Sequence, residues 1–293
     1  MTPGPDDVLS CPRCSRLLRR WTIASGNMMG AVAWSDGRIV APMSREPSYA
    51  IKCPHCGETF LQAQAACIGQ LSPFWMEGRR PDQRITLTSC PVASRVEVMR
   101  LIRAHLPYSL SEAKSAVERL PLVLADAVFY WDAMAIQEAL RKAGAVVDCE
   151  AIESLPAEEP PPEEWRAAPY ALEPTELELI ALAGRVESTP DERLVRLLAW
   201  REGNDPFRST EVDWVPYSSR GVARESLEKL LTLLSVAQSD RMLVAEAMRQ
   251  LGRFSECIEL VSATDGTESP GSSTIRELAE RRVDRLSVLF VAA

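Results

Sequence analysis

The sequence contains few of the residues on which enzymes usually rely. Only two histidines, His55 and His105, occur among 293 residues. The sequence has no glycine-rich phosphate loop, no nucleophile elbow and no second set of metal ligands with an open position. Paired carboxylates occur only in a proline-rich stretch, where their mutual geometry is not fixed. We therefore predict that the protein is not an enzyme.

Long apolar runs and positive charge are also scarce. No stretch approaches the roughly 18–20 apolar residues that span a bilayer, and the polar start of the chain is unlike a signal peptide. We therefore expect a cytoplasmic protein. The net charge of −8 argues against bulk binding of nucleic acid, which needs a strongly basic surface. A hydrophobic fraction of 46% is typical of a globular chain.

The eight cysteines are not the evenly spaced set of a short secreted protein with disulfide bonds. Four of them form two C-x-x-C pairs, Cys11 with Cys14 and Cys53 with Cys56. Such turns point their thiolates at one cation, and zinc accepts four thiolates in a tetrahedron that leaves no open catalytic position. We therefore predict one structural zinc ion held by these four residues. We interpret the other four cysteines as small core residues: Cys67, Cys90, Cys149 and Cys257.

The residues around the two C-x-x-C pairs predict a zinc ribbon over residues 1–66. Gly57 supplies the positive φ that often follows such a turn, and Ser15 occupies the equivalent place after the first pair. His55, which lies between two ligands, is expected to point outward. The 38 residues between the pairs contain strand candidates on both sides of a hairpin turn at 35–37. The ribbon is therefore expected to have an enlarged hairpin.

A basic and aromatic group of residues follows the first cysteine pair: Arg16, Arg19, Arg20 and Trp21. This pattern is typical of a nucleic-acid contact. The alternative is that the arginines only solvate a small sheet. Nearby, the stretch Trp34–Met43 resembles part of uncharacterised bacterial zinc-ribbon proteins, a resemblance that implies a family without a function.

Residues 84–153 show a pattern of strands and helices with clear boundaries. A strand candidate begins at Ile85, and apolar residues at helical spacing follow it. Pro107 ends this helix, and Ser109 and Ser111 are candidate N-caps of the next. Gly144 can end a third helix. The pattern predicts a small domain in which helices pack on one sheet.

Three segments of this region resemble the C-terminal domain of the bacterial ribosomal stalk protein: Arg95–Arg103, Leu110–Glu118 and Ala139–Val146. The order Leu-x-Glu-Ala-Lys-x-x-Val-Glu in the second segment is the most specific part. The resemblance implies a compact β-α-α-β-α-β fold. It departs from the family where Pro107-Tyr-Ser109 replaces the glycine-rich turn before the second helix.

In the stalk family, the first two helices contact translational GTPases through small apolar residues flanked by basic ones. The resemblance places this partner-binding face on six residues here: Arg95, Val96, Met99, Arg100, Arg103 and Lys114. An apolar strip edged with arginine suits an acidic amphipathic helix of a partner. The alternative is that Val96 and Met99 belong to the core and the arginines are solvated.

The rest of the chain predicts a linker and a helical region. Residues 154–174 are acidic and rich in proline, which favours an extended spacer. Residues 175–293 have helical periodicity, with a last helix expected over 275–289. The stretch Leu243–Leu260 resembles one tetratricopeptide-like helix pair. Such helices bind peptides or proteins, or they only pack on each other.

Together these patterns predict an α+β protein of three units, namely a zinc ribbon, a stalk-like domain and a helical domain. The leading hypothesis is a non-enzymatic cytoplasmic adaptor that binds a protein partner and holds structural zinc. The first alternative is a protein that binds a translational GTPase or the ribosome through the stalk-like domain. Further alternatives are nucleic-acid binding through the ribbon, and an immunity or accessory role in a bacterial toxin system.

Overall fold

The computed structural model describes residues 2–44, 48–72, 81–152, 161–209, 212–234, 240–263 and 270–291. The chain forms two compact units. The first, here called the body, combines Met1–Ser72 with Pro162–Ala293; the second, the inserted domain, is Pro73–Pro161. The fold is α+β, as predicted. The predicted boundaries treat the ribbon and the helical region as separate domains and stay a prediction, whereas the structure joins both regions in the body.

The N-terminal part of the body consists of short antiparallel strands. Their bounds are β1 Thr2–Pro3, β2 Asp6–Ser10, β3 Leu17–Arg20, β4 Ile23–Ser25, β5 Val32–Trp34, β6 Ile39–Val40, β7 Ala50–Lys52, β8 Thr59–Leu61 and β9 Ala66–Leu71. Strand β2 pairs with β3 and with β9, β1 pairs with β4, and β7 pairs with β8. Each cysteine pair thus lies at the turn of a hairpin, β2-β3 or β7-β8.

The inserted domain has the predicted β-α-α-β-α-β order. Its elements are β10 Gln83–Ser89, α1 Arg95–His105, α2 Leu110–Glu118, β11 Leu122–Val128, α3 Tyr130–Lys142 and β12 Val146–Ala151. Strand β10 is central and antiparallel to both neighbours. Of the two candidate N-caps, Ser109 is the one that caps α2: its Oγ accepts from the Glu112 N–H, and the Glu112 carboxylate accepts from the Ser109 N–H. Ile85, Val98, Ile102 and Leu140 are buried in one apolar core.

The remainder of the body is mostly helical and ends in a strand. Its elements are α4 Glu163–Ala167, α5 Glu176–Ala183, α6 Thr189–Asn204, α7 Val222–Leu233, α8 Arg241–Gln250, α9 Phe254–Ser262, α10 Pro270–Glu280 and β13 Val288–Val291. Strand β13 pairs with β5 in a sheet of order β13-β5-β6. The expectation of one helix over 275–289 is therefore wrong in its last part, because β-branched and aromatic residues there complete a sheet. Within the described residues, no helix combines the length and the apolar character needed to cross a membrane.

Part of the predicted linker is packed against the N-terminal strands. Residues 153–160 lie outside the described residues, but residues 169–172 connect the two cysteine hairpins. The Arg19 N–H donates to the Pro169 carbonyl at 2.8 Å, and the Ala171 N–H donates to the Arg19 carbonyl at 2.7 Å. Lys52 and Leu172 exchange two backbone hydrogen bonds of 2.9 and 3.0 Å. This segment behaves as a strand rather than as a free spacer.

A buried polar network holds the β5-β6 hairpin against the helices. The Asp36 carboxylate, fully buried, accepts from Arg208 at 2.6 Å and from the Asn204 amide at 3.1 Å. The neighbouring Ser35 hydroxyl donates to the buried carboxylate of Glu246 at 2.6 Å. Because buried polar groups are costly unless they are hydrogen-bonded, this network specifies one position for the hairpin.

A close contact between β9 and α4 provides a test of the body's packing. A Cβ added at Gly69 would lie 2.1 Å from Cη2 of Trp165, so Gly69→Ala forces the indole to move. We expect a loss of about 1–3 kcal/mol in the free energy of unfolding, as for other overpacked sites. Gly184→Ala is the matched control, because its new Cβ would lie at an ordinary 3.7 Å from the Ala181 carbonyl oxygen. Urea denaturation of both variants measures the difference, and equal stability would show that Trp165 does not pack on β9.

Candidate metal centre and binding face

The four predicted zinc ligands lie together at the turns of two hairpins. All four Sγ atoms are within 4.8 Å of one another. The Sγ atoms of Cys11 and Cys56 are 3.8 Å apart, as are those of Cys14 and Cys53. A tetrahedral ion with metal–sulfur bonds of about 2.3 Å requires sulfur–sulfur distances of about 3.8 Å. The arrangement can therefore hold a metal ion of the size of zinc.

The backbone of the two cysteine turns is nearly identical. Ser15 and Gly57 have φ values of 58° and 73°, and each donates its N–H to the carbonyl of the first cysteine of its turn at 2.9 Å. Glycine adopts this conformation without strain, whereas serine does so at a cost. The predicted conformation at both positions is confirmed.

The cysteines lie in contrasting electrostatic surroundings. The backbone N–H of Arg16 lowers the pKa of Cys14 to about 7. Burial raises the pKa of Cys53 to about 12 and also raises that of Cys11, although backbone N–H groups of each turn face both sulfurs. A bound cation favours the thiolate form of a ligand, and these N–H groups stabilise the same charge. The donor set therefore fits a thiolate-bound metal.

Contacts around the cysteines tie the two turns together. His55 donates from Nε2 to the Leu17 carbonyl at 3.0 Å, which turns its ring to the chain after the first pair. From the first cysteine turn, Arg13 forms a 2.5 Å ion pair with Glu58, which follows the second cysteine pair. Arg185, which follows α5, also pairs with Glu58, and these two arginines lower the Glu58 pKa. The metal centre is thereby connected to the helices of the body.

The candidate nucleic-acid residues mostly face partners within the body. Arg19 donates from Nε to the Ala168 carbonyl at 2.8 Å and lies over the Tyr170 ring. Arg20 pairs with Asp7 at 3.1 Å. Arg16 is exposed, and Trp21 is half-buried. Two of the four side chains therefore hold strands and the segment 169–172 together, which does not support a continuous basic surface.

Helix α1 presents part of the predicted partner-binding face to solvent. Val96 is 76% exposed, so this valine is not a core residue. Arg100 and Arg103 are exposed on the same side, at i+4 and i+7 from Val96. An ion pair links Arg100 to Glu97 at 2.6 Å, also at the surface. The described part of the structure thus leaves an exposed apolar residue, followed along the same side of the helix by two exposed arginines, available to a partner.

The other three residues of that face differ in position. Met99 is half-buried and packs against the apolar core, so it is only in part a surface residue. Arg95 is also half-buried, and its Nε has no hydrogen-bond partner in the described part of the chain. Lys114 is exposed on α2. No hydrogen bond or ion pair among the described residues joins Lys114 to the α1 arginines.

Comparison with known families agrees with this arrangement. Residues 84–150 match the family model of the ribosomal protein L7/L12 C-terminal domain. The inserted domain has that fold. The match covers less than a quarter of the chain, so it characterises this domain and not the body. A search of curated proteins finds no match to the chain.

The buried polar and charged side chains of the body are not evident from the sequence. Asp36 lies in the predicted hairpin turn and Asn204 is the last residue of α6, yet both are fully buried. Glu246 and Arg249 lie on α8 among small apolar residues, and both side chains are completely inaccessible. The i, i+3 spacing of opposite charges among alanines is a signal, but exposed helices carry the same spacing. Only burial in the folded protein therefore distinguishes the Glu246–Arg249 ion pair from ion pairs on exposed helix surfaces.

Proposed function

We propose that the protein is a non-catalytic adaptor that acts in the cytoplasm and binds a protein partner through the α1 side of its inserted domain. The partner class that we propose is a translational GTPase or another protein of the ribosome context. The family match to the L7/L12 C-terminal domain supports this context. The observation that carries the proposal is the exposed Val96 with the exposed Arg100 and Arg103 on the same side of α1.

The chemistry of this face fits a partner helix that is apolar and acidic. Val92 and Val96 are both 76% exposed. A partner that covers Val96 buries apolar area, and the arginines orient the acidic groups of that partner. The Glu97–Arg100 pair is exposed on both sides, and such pairs contribute little stability. Arg100 can therefore exchange Glu97 for a partner carboxylate at small cost.

In this proposal the body is a zinc-stabilised scaffold. Four thiolates fill the coordination shell of zinc and leave no position for substrate. The tetratricopeptide-like interpretation of α8 and α9 fits a scaffold that holds other proteins. We do not propose nucleic-acid binding, since Arg19 and Arg20 are used within the body.

Reversing two charges on α1 tests the proposal. We expect Arg100→Glu with Arg103→Glu to weaken partner binding about 10-fold or more, because the new carboxylates repel the acidic groups of the partner. The measurement is affinity capture from a bacterial lysate with mass spectrometry, followed by fluorescence anisotropy with purified translational GTPases. Loss of a GTPase from the variant's capture is the expected result.

The matched control makes the same change in net charge elsewhere. Arg224→Glu with Lys229→Glu alters two exposed residues of α7 in the body. This variant is expected to capture the same partners as the unmodified protein. If the α1 variant and the control retain the partner equally, binding does not use α1, and the proposal is wrong.

A further inference from the structure

The body contains a cavity of about 390 Å³ between strand β6 and helices α5 and α6. Its walls include the apolar side chains of Ile39, Val40, Tyr49, Leu179 and Leu198. Ile39, Val40 and Tyr49 are each more than 40% exposed, and binding pockets are lined mainly by apolar and aromatic side chains of this kind. The cavity therefore offers apolar area that the body itself does not cover within the described residues.

The charged side chains at this cavity differ in whether they have hydrogen-bond or ion-pair partners among the described residues. The Arg38 guanidinium pairs with Asp205 at 2.5 Å, and Arg201 donates to the Gly37 carbonyl at 2.9 Å. By contrast, no hydrogen bond or ion pair to the Glu202 carboxylate occurs in the part of the chain that the structure describes. The arginines of the cavity already have acceptors, whereas this acid has no donor.

The surroundings of Glu202 disfavour its charge in the absence of a cation. Burial raises the Glu202 pKa, and the nearby carboxylate of Asp205 raises it further. The carboxylates of Glu173 and Glu176 act in the same direction, whereas the Arg38 guanidinium lowers the pKa. A positive group placed beside Glu202 would therefore also be attracted by the carboxylates of Glu173, Glu176 and Asp205.

The backbone beside the cavity can accept another strand. The sheet has the order β13-β5-β6, so β6 forms one of its edges. The Trp34 N–H donates to the Arg38 carbonyl at 2.9 Å, which means that the backbone of the next residue, Ile39, faces away from β5 in an antiparallel ladder. An edge with unpaired N–H and C=O groups is the usual acceptor of an extended peptide.

From these observations we propose that the cavity binds an extended segment of a partner protein that carries a lysine or arginine next to an apolar side chain. The segment pairs with the edge of β6. Its apolar side chain enters the cavity between Val40 and Leu198, and its cation forms an ion pair with Glu202. This site is in the body and is independent of the α1 face of the inserted domain.

A randomised heptapeptide library displayed on phage and panned on the full zinc-loaded chain tests this proposal. We expect enrichment of peptides with a lysine or arginine beside a β-branched or aromatic residue. Glu202→Gln is expected to weaken the selected peptides about 10-fold or more, since a charge-assisted bond is lost. Val40→Asp should weaken them similarly, and methylation of alternate peptide nitrogens should abolish strand pairing.

Two controls separate this site from other surfaces. Glu187→Gln removes an exposed carboxylate outside the cavity lining and is expected to leave peptide affinity unchanged. Arg100→Glu with Arg103→Glu should also leave it unchanged, so that failure here is distinct from failure of the α1 proposal. Enrichment of acidic or uncharged peptides, no enrichment, or equal affinity for Glu202→Gln would each overturn the proposed site.

Discussion

Substitution of Cys53 by serine is expected to unfold the whole body and to leave the inserted domain folded. Structural zinc in zinc-finger peptides contributes an apparent binding free energy of about 10–16 kcal/mol at pH 7. Most domains have a total stability of about 5–15 kcal/mol. The binding free energy that is lost with the metal is therefore expected to exceed the free energy of unfolding of the body.

The extent of this unfolding follows from contacts beyond the strands. On sequence alone, chelation would be expected to unfold residues 1–60 first. In the structure, segment 169–172 is hydrogen-bonded to both cysteine hairpins. Arg185 also forms an ion pair with Glu58, which lies in the turn of the second hairpin. Strand β13 near the C-terminus pairs with β5. Disorder in the hairpins thus removes partners from the helical region as well.

Hydrogen exchange with mass spectrometry measures this effect segment by segment. In chelator-treated protein and in Cys53→Ser, peptides from both the N-terminal strands and the helical region should lose protection from exchange. Peptides from residues 84–150 should stay protected. The control is Cys67→Ser, an exposed cysteine outside the cluster, which should behave as the unmodified protein does. Full protection of the body in metal-free protein would contradict a structural metal.

A large loss of stability is also expected when Glu246 is replaced by glutamine. Glu246 and Arg249 have side chains that are 0% exposed and are joined at 2.6 Å. The Glu246 carboxylate also accepts from Ser35 at 2.6 Å and from Gln250 at 2.8 Å. Removing one partner of a buried ion pair leaves an uncompensated charge, which costs about 3–5 kcal/mol.

The other contacts of Arg249 prevent it from moving to water. Its guanidinium donates to the carbonyl of Arg285 at 2.9 Å and to that of Val283. These bonds fix the chain that leads into β13. Loss of the Glu246 charge should therefore weaken both the β5-β6 hairpin and the C-terminal strand.

Urea denaturation followed by tryptophan fluorescence measures the change in the free energy of unfolding. Trp200 is a suitable reporter because its Nε1 donates to Gln250 at 2.9 Å, next to the pair. The control is Glu256→Gln, which breaks the exposed i, i+3 pair with Arg253 and should cost less than about 1 kcal/mol. If both variants lose the same stability, burial of the Glu246–Arg249 pair is not what stabilises the body.

Several features were determined by short stretches of sequence. Each cysteine turn is specified by four or five adjacent residues, including the positive φ at Gly57. The α2 cap needs only Ser109 and Glu112. The order of elements in the inserted domain follows from local periodicity and from proline and glycine at element ends. Such features are predictable because the interacting groups are close in the chain.

Other features were decided by tertiary structure alone. The N-terminal strands and the helices form one unit because the Ser287 N–H donates to the Ser35 hydroxyl, 252 residues away, and because Arg19 is hydrogen-bonded to residues 169–171. Residues 288–289, predicted as the end of a helix, instead lie in strand β13, Val288–Val291, which pairs with β5. Local propensity is a weak preference that burial and long-range pairing override. Whether a charge such as Arg20, Asp36 or Glu246 faces solvent or a buried partner depends on those distant contacts, which no short window of sequence contains.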